Sequence, residues 1–81
     1  MTQQDIYEAL TEIFHDVFMR DDLVLRPDLS APDVEGWDSF KQIEIILAVE
    51  ARFGFKAPIK EIEQLNTVGD LVSLIQARAP A

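Results

Sequence analysis

The residues best placed for chemistry are a serine and the aspartate before it, Ser39 and Asp38, at the start of a long apolar block. A serine hydroxyl becomes a nucleophile when a base takes its proton and an oxyanion hole stabilises the product. The only histidine, His15, falls on a different predicted helix, and the glycine pattern of a nucleophile elbow is absent. No phosphate-binding glycine loop or dinucleotide fingerprint is present either. These features predict that the chain is not an enzyme.

Acidic residues are frequent in the segment before this pair, which raises the question of a metal site. An EF-hand loop that started at Asp28 would place Pro32 at its fifth position. The same loop would place Asp33 where glycine is needed and Ser39 where glutamate is needed. The chain also has no cysteine and a single histidine. We therefore predict that no metal binds.

Two interpretations of the Asp38–Ser39 pair are compatible with its position. In the first, Asp38 is a helix N-cap and Ser39 is a tolerated residue of the first turn. In the second, Ser39 is a point of attachment, because unpaired backbone N–H groups and the positive end of the helix dipole favour a phosphate there. Trp37 and Phe40 place large apolar groups around the hydroxyl, which the first interpretation leaves unexplained. Spacing alone does not decide between them.

Composition limits the classes of function. The chain has 81 residues, of which 48% are hydrophobic, so we expect one folded domain over residues 1–81. The absence of cysteine fits a reducing cytoplasm, and the N-terminal residues show no secretory signal. The longest unbroken apolar run, from Ile45 to Val49, is too short to span a membrane. We expect a cytoplasmic monomer with no membrane insertion.

The net charge of −8 is unevenly distributed along the chain. Residues 1–38 contain ten acids and two bases, Arg20 and Arg26, which account for all of it, and residues 39–81 are neutral. A field of this sign repels phosphate backbones, so nucleic acid is not an expected partner. Most of these acids are predicted to form a solvated surface, and a docking surface for basic partners is the alternative.

Hydrophobic periodicity predicts a first helix that begins after Thr2, which forms a capping box with Asp5. His15 falls off the apolar side of this helix and is expected to be exposed. The segment between the first and second helices, residues 19–38, has no sustained period. We expect it to be ordered, because six apolar residues can anchor it to a core. The apolar side of the helix comprises Ile6, Leu10, Ile13, Phe14 and Val17, and the loop anchors are Leu23, Val24, Leu25, Leu29, Val34 and Trp37.

The second half of the chain predicts three further helices. One runs from Ser39 to about Phe53 and ends at Gly54, and a short one over residues 59–65 follows Pro58. Thr67 and Asp70 cap the last helix, whose apolar side comprises Val68, Leu71, Val72 and Ile75. Gly69, near the start of that helix, is expected to cost about 1 kcal/mol relative to alanine. The sequence therefore predicts an all-α four-helix bundle with three main helices, a short third helix and a long first loop.

The stretch "DSFKQIEIILAVEARFGF" and the following "IKEIEQLNTVGDLVSLI" resemble the acyl carrier protein family. The matching features are an Asp-Ser-Leu-type motif that opens the second helix and a Glu-x-x-Phe-Gly element that closes it. A short third helix and a Thr-Val pair at the start of the fourth complete the match. The Glu-x-x-Phe-Gly element is Glu50, Phe53 and Gly54. The resemblance covers nearly the whole chain, in most detail residues 36–75.

This resemblance implies that Ser39 carries 4'-phosphopantetheine, which a phosphopantetheinyl transferase adds from coenzyme A. Asp38 belongs to the same motif. The arm ends in a thiol, so a chain without cysteine would hold acyl groups as thioesters. It would present them to an acyl-activating ligase, a ketosynthase or an acyltransferase. The apolar interior could shelter part of the acyl chain.

The sequence departs from fatty acid carriers on the second helix. Phe40 replaces the usual leucine, and Lys41, Ala51 and Arg52 stand where acids are common, although Glu44 and Glu50 remain. A helical wheel directs Ile43, Ile46, Val49 and Phe53 to the core and Phe40, Glu44, Leu47 and Ala51 outward. Phe40, Lys41, Glu44, Leu47 and Ala51 are thus the predicted partner-binding residues. A neutral, partly apolar helix favours a specialised carrier in acyl, polyketide or lipid metabolism over a housekeeping one.

Two alternatives remain open at this point. A peptidyl or D-alanyl carrier protein would share the fold and the arm, although the Gly-Gly-x-Ser type motif of peptidyl carriers does not match residues 36–40. A helical interaction module without a prosthetic group would not require the Asp-Ser attachment motif.

Overall fold

A computed structural model describes residues 2–79 of the chain, which form four α-helices. They are α1 (Gln3–Phe18), α2 (Ser39–Phe53), α3 (Ile59–Glu63) and α4 (Val68–Arg78). A single 3-10 turn (Ala31–Asp33) interrupts the loop between α1 and α2, and the described residues contain no strand. The predicted all-α four-helix bundle with a long first loop is therefore confirmed. Within residues 2–79, no helix is long and apolar enough to cross a membrane.

One hydrophobic core holds α1, α2, α4 and the long loop together. Each main helix contributes one apolar side, and the loop contributes two buried side chains. Burial of this kind stabilises the fold by about 25 cal/mol per Å² of apolar surface removed from water. The core residues from the helices are Ile6, Ala9, Leu10, Ile13, Phe14, Ile45, Ile46, Val49, Phe53, Val68, Leu71, Val72, Leu74 and Ile75, and those from the loop are Leu29 and Val34.

Local signals start and stop the helices where the sequence predicts. Thr2 and Thr67 each form a full capping box at the start of α1 and α4. Asp38 caps α2, and Gly54 ends it in a left-handed conformation with φ of 74°. The short third helix ends at Glu63, two residues earlier than predicted, and Pro58 is its N-cap residue.

The long loop is clamped to the start of α4. The backbone N–H of Val68 donates to the Leu29 carbonyl oxygen at 2.8 Å, and the N–H of Gly69 donates to the Pro27 carbonyl oxygen at 2.9 Å. The first N–H groups of a helix have no partner within the helix, so loop carbonyls supply the missing acceptors. We call these two hydrogen bonds, with the neighbouring bridge between Ser30 and Thr67, the loop clamp.

Three sequence-based expectations about single residues were wrong. Ile43 was assigned to the core, yet its side chain is 58% exposed and Ile45 takes the buried position. Val24 was expected to anchor the loop, but it is 79% exposed. His15 is half-buried rather than exposed, since its Nε2 atom lies 3.0 Å from the carbonyl oxygen of Leu23 and ties the loop to α1.

The loop clamp requires glycine at position 69. A Cβ atom there would lie 2.9 Å from the Pro27 carbonyl oxygen, which the clamp's own hydrogen bond holds in place. The absence of a Cβ atom permits this close approach, and it offsets the cost of glycine's low helix propensity.

We expect Gly69→Ala to lower the free energy of unfolding by about 1 kcal/mol, although alanine favours a helix. A steric clash with backbone costs about 1–3 kcal/mol, which exceeds the gain in helix propensity of up to about 1 kcal/mol. Urea unfolding followed by circular dichroism measures the change. Ser73→Ala, at an exposed position of the same helix, is the matched control and should leave the midpoint unchanged or slightly raised. A higher midpoint for Gly69→Ala would contradict this account of the clamp.

Candidate functional site

The end of the long loop is held by aromatic packing. The ring of Trp37 meets that of Phe14 edge-on at 5.3 Å between centroids, and it meets that of Phe18 at 6.1 Å. Edge-to-face pairs of this kind contribute about 0.5–1.5 kcal/mol beyond the area that they bury. Because Phe14 belongs to the core, the indole fixes the backbone immediately before α2.

Asp38 and Ser39 follow directly from this anchor. The Asp38 carboxylate accepts a hydrogen bond from the backbone N–H of Lys41 at 2.9 Å, so Asp38 is the N-cap and Ser39 is the first residue of α2. Ser39 is exposed, and within residues 2–79 no group hydrogen-bonds to its hydroxyl. The structure thus presents a free hydroxyl at the positive end of a helix.

The surroundings of Ser39 do not include the parts of a hydrolase. His15 lies on α1 with its Nε2 atom 3.0 Å from the carbonyl oxygen of Leu23, and within residues 2–79 it makes no hydrogen bond to Ser39. In the part of the chain that the structure describes, no three histidine, cysteine or acidic residues are grouped to hold a metal.

A groove runs from Ser39 along the side of α2 that faces α3. Its first part is a cavity of about 480 Å³ that we call the Ser39 cavity, and its walls include Trp37, Ser39 and Gln42. Its second part, also about 480 Å³, is lined by Ile46, Leu47, Ala57 and Ile59 and is named the α2–α3 cavity. The two parts adjoin along α2, because three residues line both of them: Gln42, Ile43 and Ile62.

A third cavity lies on the other side of Trp37, beneath the long loop. It measures about 330 Å³, and its walls include polar side chains of the loop and of the segment before α4, such as Ser30, Asn66 and Thr67. We call it the loop cavity. It shares four lining residues with the Ser39 cavity, so the two spaces are neighbours: Ala31, Trp37, Gln42 and Leu65.

Every charged side chain of α2 is engaged within the protein. The Lys41 ammonium donates to the Val17 carbonyl oxygen at 3.2 Å, near the C-terminal end of α1, and lies 3.4 Å from the Glu44 carboxylate. Arg52 pairs with Glu12 of α1 at 2.9 Å. The Glu50 carboxylate accepts a hydrogen bond from the Ala57 backbone N–H, also at 2.9 Å. Exposed pairs of this kind add little stability, and the Glu50 carboxylate, whose partner is a backbone N–H, keeps its charge.

The outward side of α2 is apolar. Phe40 is 78% exposed and Leu47 is 61% exposed, so Phe40 does not pack under the long loop. Glu44 and Ala51 are exposed on the same side, as the helical wheel predicts. The sequence missed Ile43 as a member of this surface. We call these five residues, Phe40, Ile43, Glu44, Leu47 and Ala51, the outer face of α2.

The bundle has the form of a carrier domain. It presents an exposed serine hydroxyl, without a hydrogen-bond partner among residues 2–79, at a capped helix start beside a groove. Residues 8–75 match the family described as "Phosphopantetheine attachment site". The chain belongs to this family, and within it to the acyl carrier proteins. The match decides against a helical module without a prosthetic group.

Similar proteins span nearly the whole chain. The acyl carrier protein of Acidothermus cellulolyticus is 32% identical over 75 residues, which are 93% of this chain and 89% of that protein. The meromycolate extension acyl carrier protein of Mycolicibacterium smegmatis is 35% identical over 75 residues, covering 93% of this chain and 76% of that protein. The solution structure of a holo acyl carrier protein from Geobacter metallireducens superposes with a TM-score of 0.83 at 36% identity, covering 89% and 83% of the two chains.

The prosthetic group of this family is covalent 4'-phosphopantetheine, and the residues near α2 fit it. The exposed Ser39 hydroxyl can form a phosphodiester, and the adjoining groove offers a polar entrance and an apolar interior. When bound, the group supplies the thiol that a chain without cysteine lacks.

We expect Asp38→Ala to lower the free energy of unfolding by about 1 kcal/mol, because the Lys41 backbone N–H loses its acceptor. Asp38→Asn keeps a side-chain oxygen at the cap and should retain most of the stability. Chemical denaturation of the two unmodified variants measures both effects. Equal loss in the two variants would show that the charge rather than the cap matters.

Proposed function

We propose that Ser39 is the attachment point of 4'-phosphopantetheine in this acyl carrier protein. The observation that carries the proposal is the exposed, unpaired hydroxyl in the first turn of α2, directly after the Asp38 cap and at the mouth of the groove. Ser30 and Ser73 lack this setting. Ser30 belongs to the loop clamp, and Ser73 lies in the middle of α4.

The electrostatics of the helix start support a phosphodiester at this position. The N-terminus of α2 has no acidic residue within its first turn, and its dipole places partial positive charge near the hydroxyl. Backbone N–H groups at such a terminus form a ready binding site for phosphate oxygens. Asp38 contributes by holding the first turn in shape for a phosphopantetheinyl transferase.

In this proposal the chain is a substrate of other proteins and performs no catalysis of its own. A transferase adds the arm, and an acyl-activating ligase, ketosynthase or acyltransferase then loads, extends or removes the acyl group. The α2–α3 cavity, with Ile46, Leu47 and Ile59 in its walls, gives an acyl chain apolar surface to bury between these encounters.

We further propose that the pathway is a specialised one, and that partners dock on the outer face of α2. Because the two acids and two bases of α2 cancel in charge, charge steering contributes little to encounter at this face. Exposed Phe40 and Leu47 supply apolar contact instead. Similarity to carriers named for meromycolate extension supports a lipid pathway of this kind.

Ser39→Ala should abolish the mass increase when the purified protein is incubated with coenzyme A and a phosphopantetheinyl transferase. Ser30→Ala and Ser73→Ala, the matched controls, should gain one phosphopantetheine mass like the wild type. Intact-mass spectrometry reads all four proteins, and circular dichroism confirms that each is folded. Modification of Ser39→Ala, or its loss in either control, would overturn the assignment.

Leu47→Ala should raise the KM of the transferase for this protein about fivefold, which corresponds to about 1 kcal/mol of lost apolar contact. Val24→Ala removes an apolar side chain that is more exposed than Leu47 and lies outside the outer face of α2, and it should change KM little. The wild-type KM should also change less than about twofold between roughly 0.05 and 0.3 M salt. Salt screens attraction between charges, and apolar contact does not depend on that attraction.

An acyl carrier protein with an acidic second helix serves as the comparison in the same salt series, and its KM should rise steeply. A comparably steep rise for this protein would contradict docking through an apolar face. Equal effects of Leu47→Ala and Val24→Ala would place the docking surface elsewhere.

A further inference from the structure

Gln42 occupies an unusual position in the groove. It lies three residues after Ser39 on α2, so the two side chains share one side of the helix. It is half-buried, and it is the one residue that contributes to the walls of the Ser39 cavity, the α2–α3 cavity and the loop cavity alike. Any group that extends from Ser39 toward the α2–α3 cavity passes this side chain.

Trp37 fixes the orientation of the Gln42 carboxamide. The indole Nε1–H donates to Gln42 Oε1 at 2.8 Å, and an indole nitrogen can only donate. The oxygen of the carboxamide must therefore face Trp37, which leaves the NH2 end on the opposite side. Among the described residues, no acceptor hydrogen-bonds to this NH2 group. Gln42 thus offers two N–H donors that are already oriented.

The chemistry of the Ser39 cavity makes this donor distinctive. Its ionisable wall residues are Asp38 and Glu63, whose carboxylates accept hydrogen bonds. The Trp37 N–H is already used by Gln42, and the remaining walls are mostly apolar. An amide carbonyl that lies against such walls gains a hydrogen bond from the protein only where a donor is present. The Gln42 NH2 group is the side-chain donor in this cavity that can satisfy one.

We propose that the Gln42 carboxamide, oriented by Trp37, donates a hydrogen bond to an amide carbonyl of the phosphopantetheine arm and holds the arm in the groove toward the α2–α3 cavity. The inference rests on the proposed attachment at Ser39. The arm contains two secondary amides, whose carbonyl oxygens are acceptors of the required kind. Gln42 is thus a positioning residue that directs the thiol end along α2 and away from the loop cavity.

The test uses holo protein with an ¹⁵N-labelled arm, in which nuclear relaxation reports the mobility of the arm amides. In the wild type, at least one arm amide should have an order parameter above about 0.6, and in Gln42→Glu both should fall below it. Gln42→Glu keeps an acceptor for Trp37 but has no donor. Gln42→Met has neither a donor nor a charge, and it should release the arm to the same extent. This variant distinguishes loss of the donor from repulsion between a glutamate at position 42 and the phosphate. Gln76→Glu makes the same charge change at an exposed position of α4 and should leave the arm ordered.

Intact mass is measured first on every variant, so failure of attachment at Ser39 is distinguished from failure of the hydrogen bond. The Trp37 indole signal should be retained in Gln42→Glu, which confirms that the wall is intact. In the wild type, the Gln42 NH2 signals should shift between the apo and holo forms. Arm amides that are as mobile in the wild type as in Gln42→Glu, or unshifted Gln42 signals, would overturn the proposal.

Discussion

The position of Ser39 depends on the loop clamp, in which the long loop supplies acceptors for the start of α4. The Leu29 and Pro27 carbonyl oxygens take the N–H groups of Val68 and Gly69, and the Thr67 capping box completes the helix start. With its middle held in this way, the loop can bring Trp37 onto the core. Asp38 then caps the first turn of α2, and the hydroxyl of Ser39, the next residue, is exposed.

Contacts between segments also determine which side chains of α2 remain on its surface. Lys41 and Arg52 each bind an acceptor on α1, at Val17 and Glu12, so the basic residues of α2 join two helices. Glu50 joins α2 to the chain that precedes α3. What remains outward is apolar. Under the proposed function, partners would be distinguished at this helix by shape and apolar contact more than by charge.

Features that depend on neighbouring residues in the chain were predictable from sequence. The Thr2 and Thr67 capping boxes, the Asp38 cap and the Gly54 terminus each follow from side-chain chemistry within a few residues. Features that depend on contacts between different helices or distant segments were not predictable from the sequence. The exposure of Ile43 and the burial of Ile45 reflect where α3 and α1 lie against α2, which periodicity on one helix does not report. The requirement for Gly69 and the second role of Lys41 arise from contacts between segments far apart in the chain.

The central claim is that one serine carries the prosthetic group and its cargo in the cell. Tandem mass spectrometry of tryptic peptides from protein purified without added transferase tests it directly. Because trypsin does not cut before Pro27, residues 21–41 form one peptide that contains both Ser30 and Ser39. The account predicts phosphopantetheine, with or without an acyl group, on fragments that contain Ser39 and never on those that contain Ser30 alone. An unmodified peptide, or modification confined to Ser30, would contradict it.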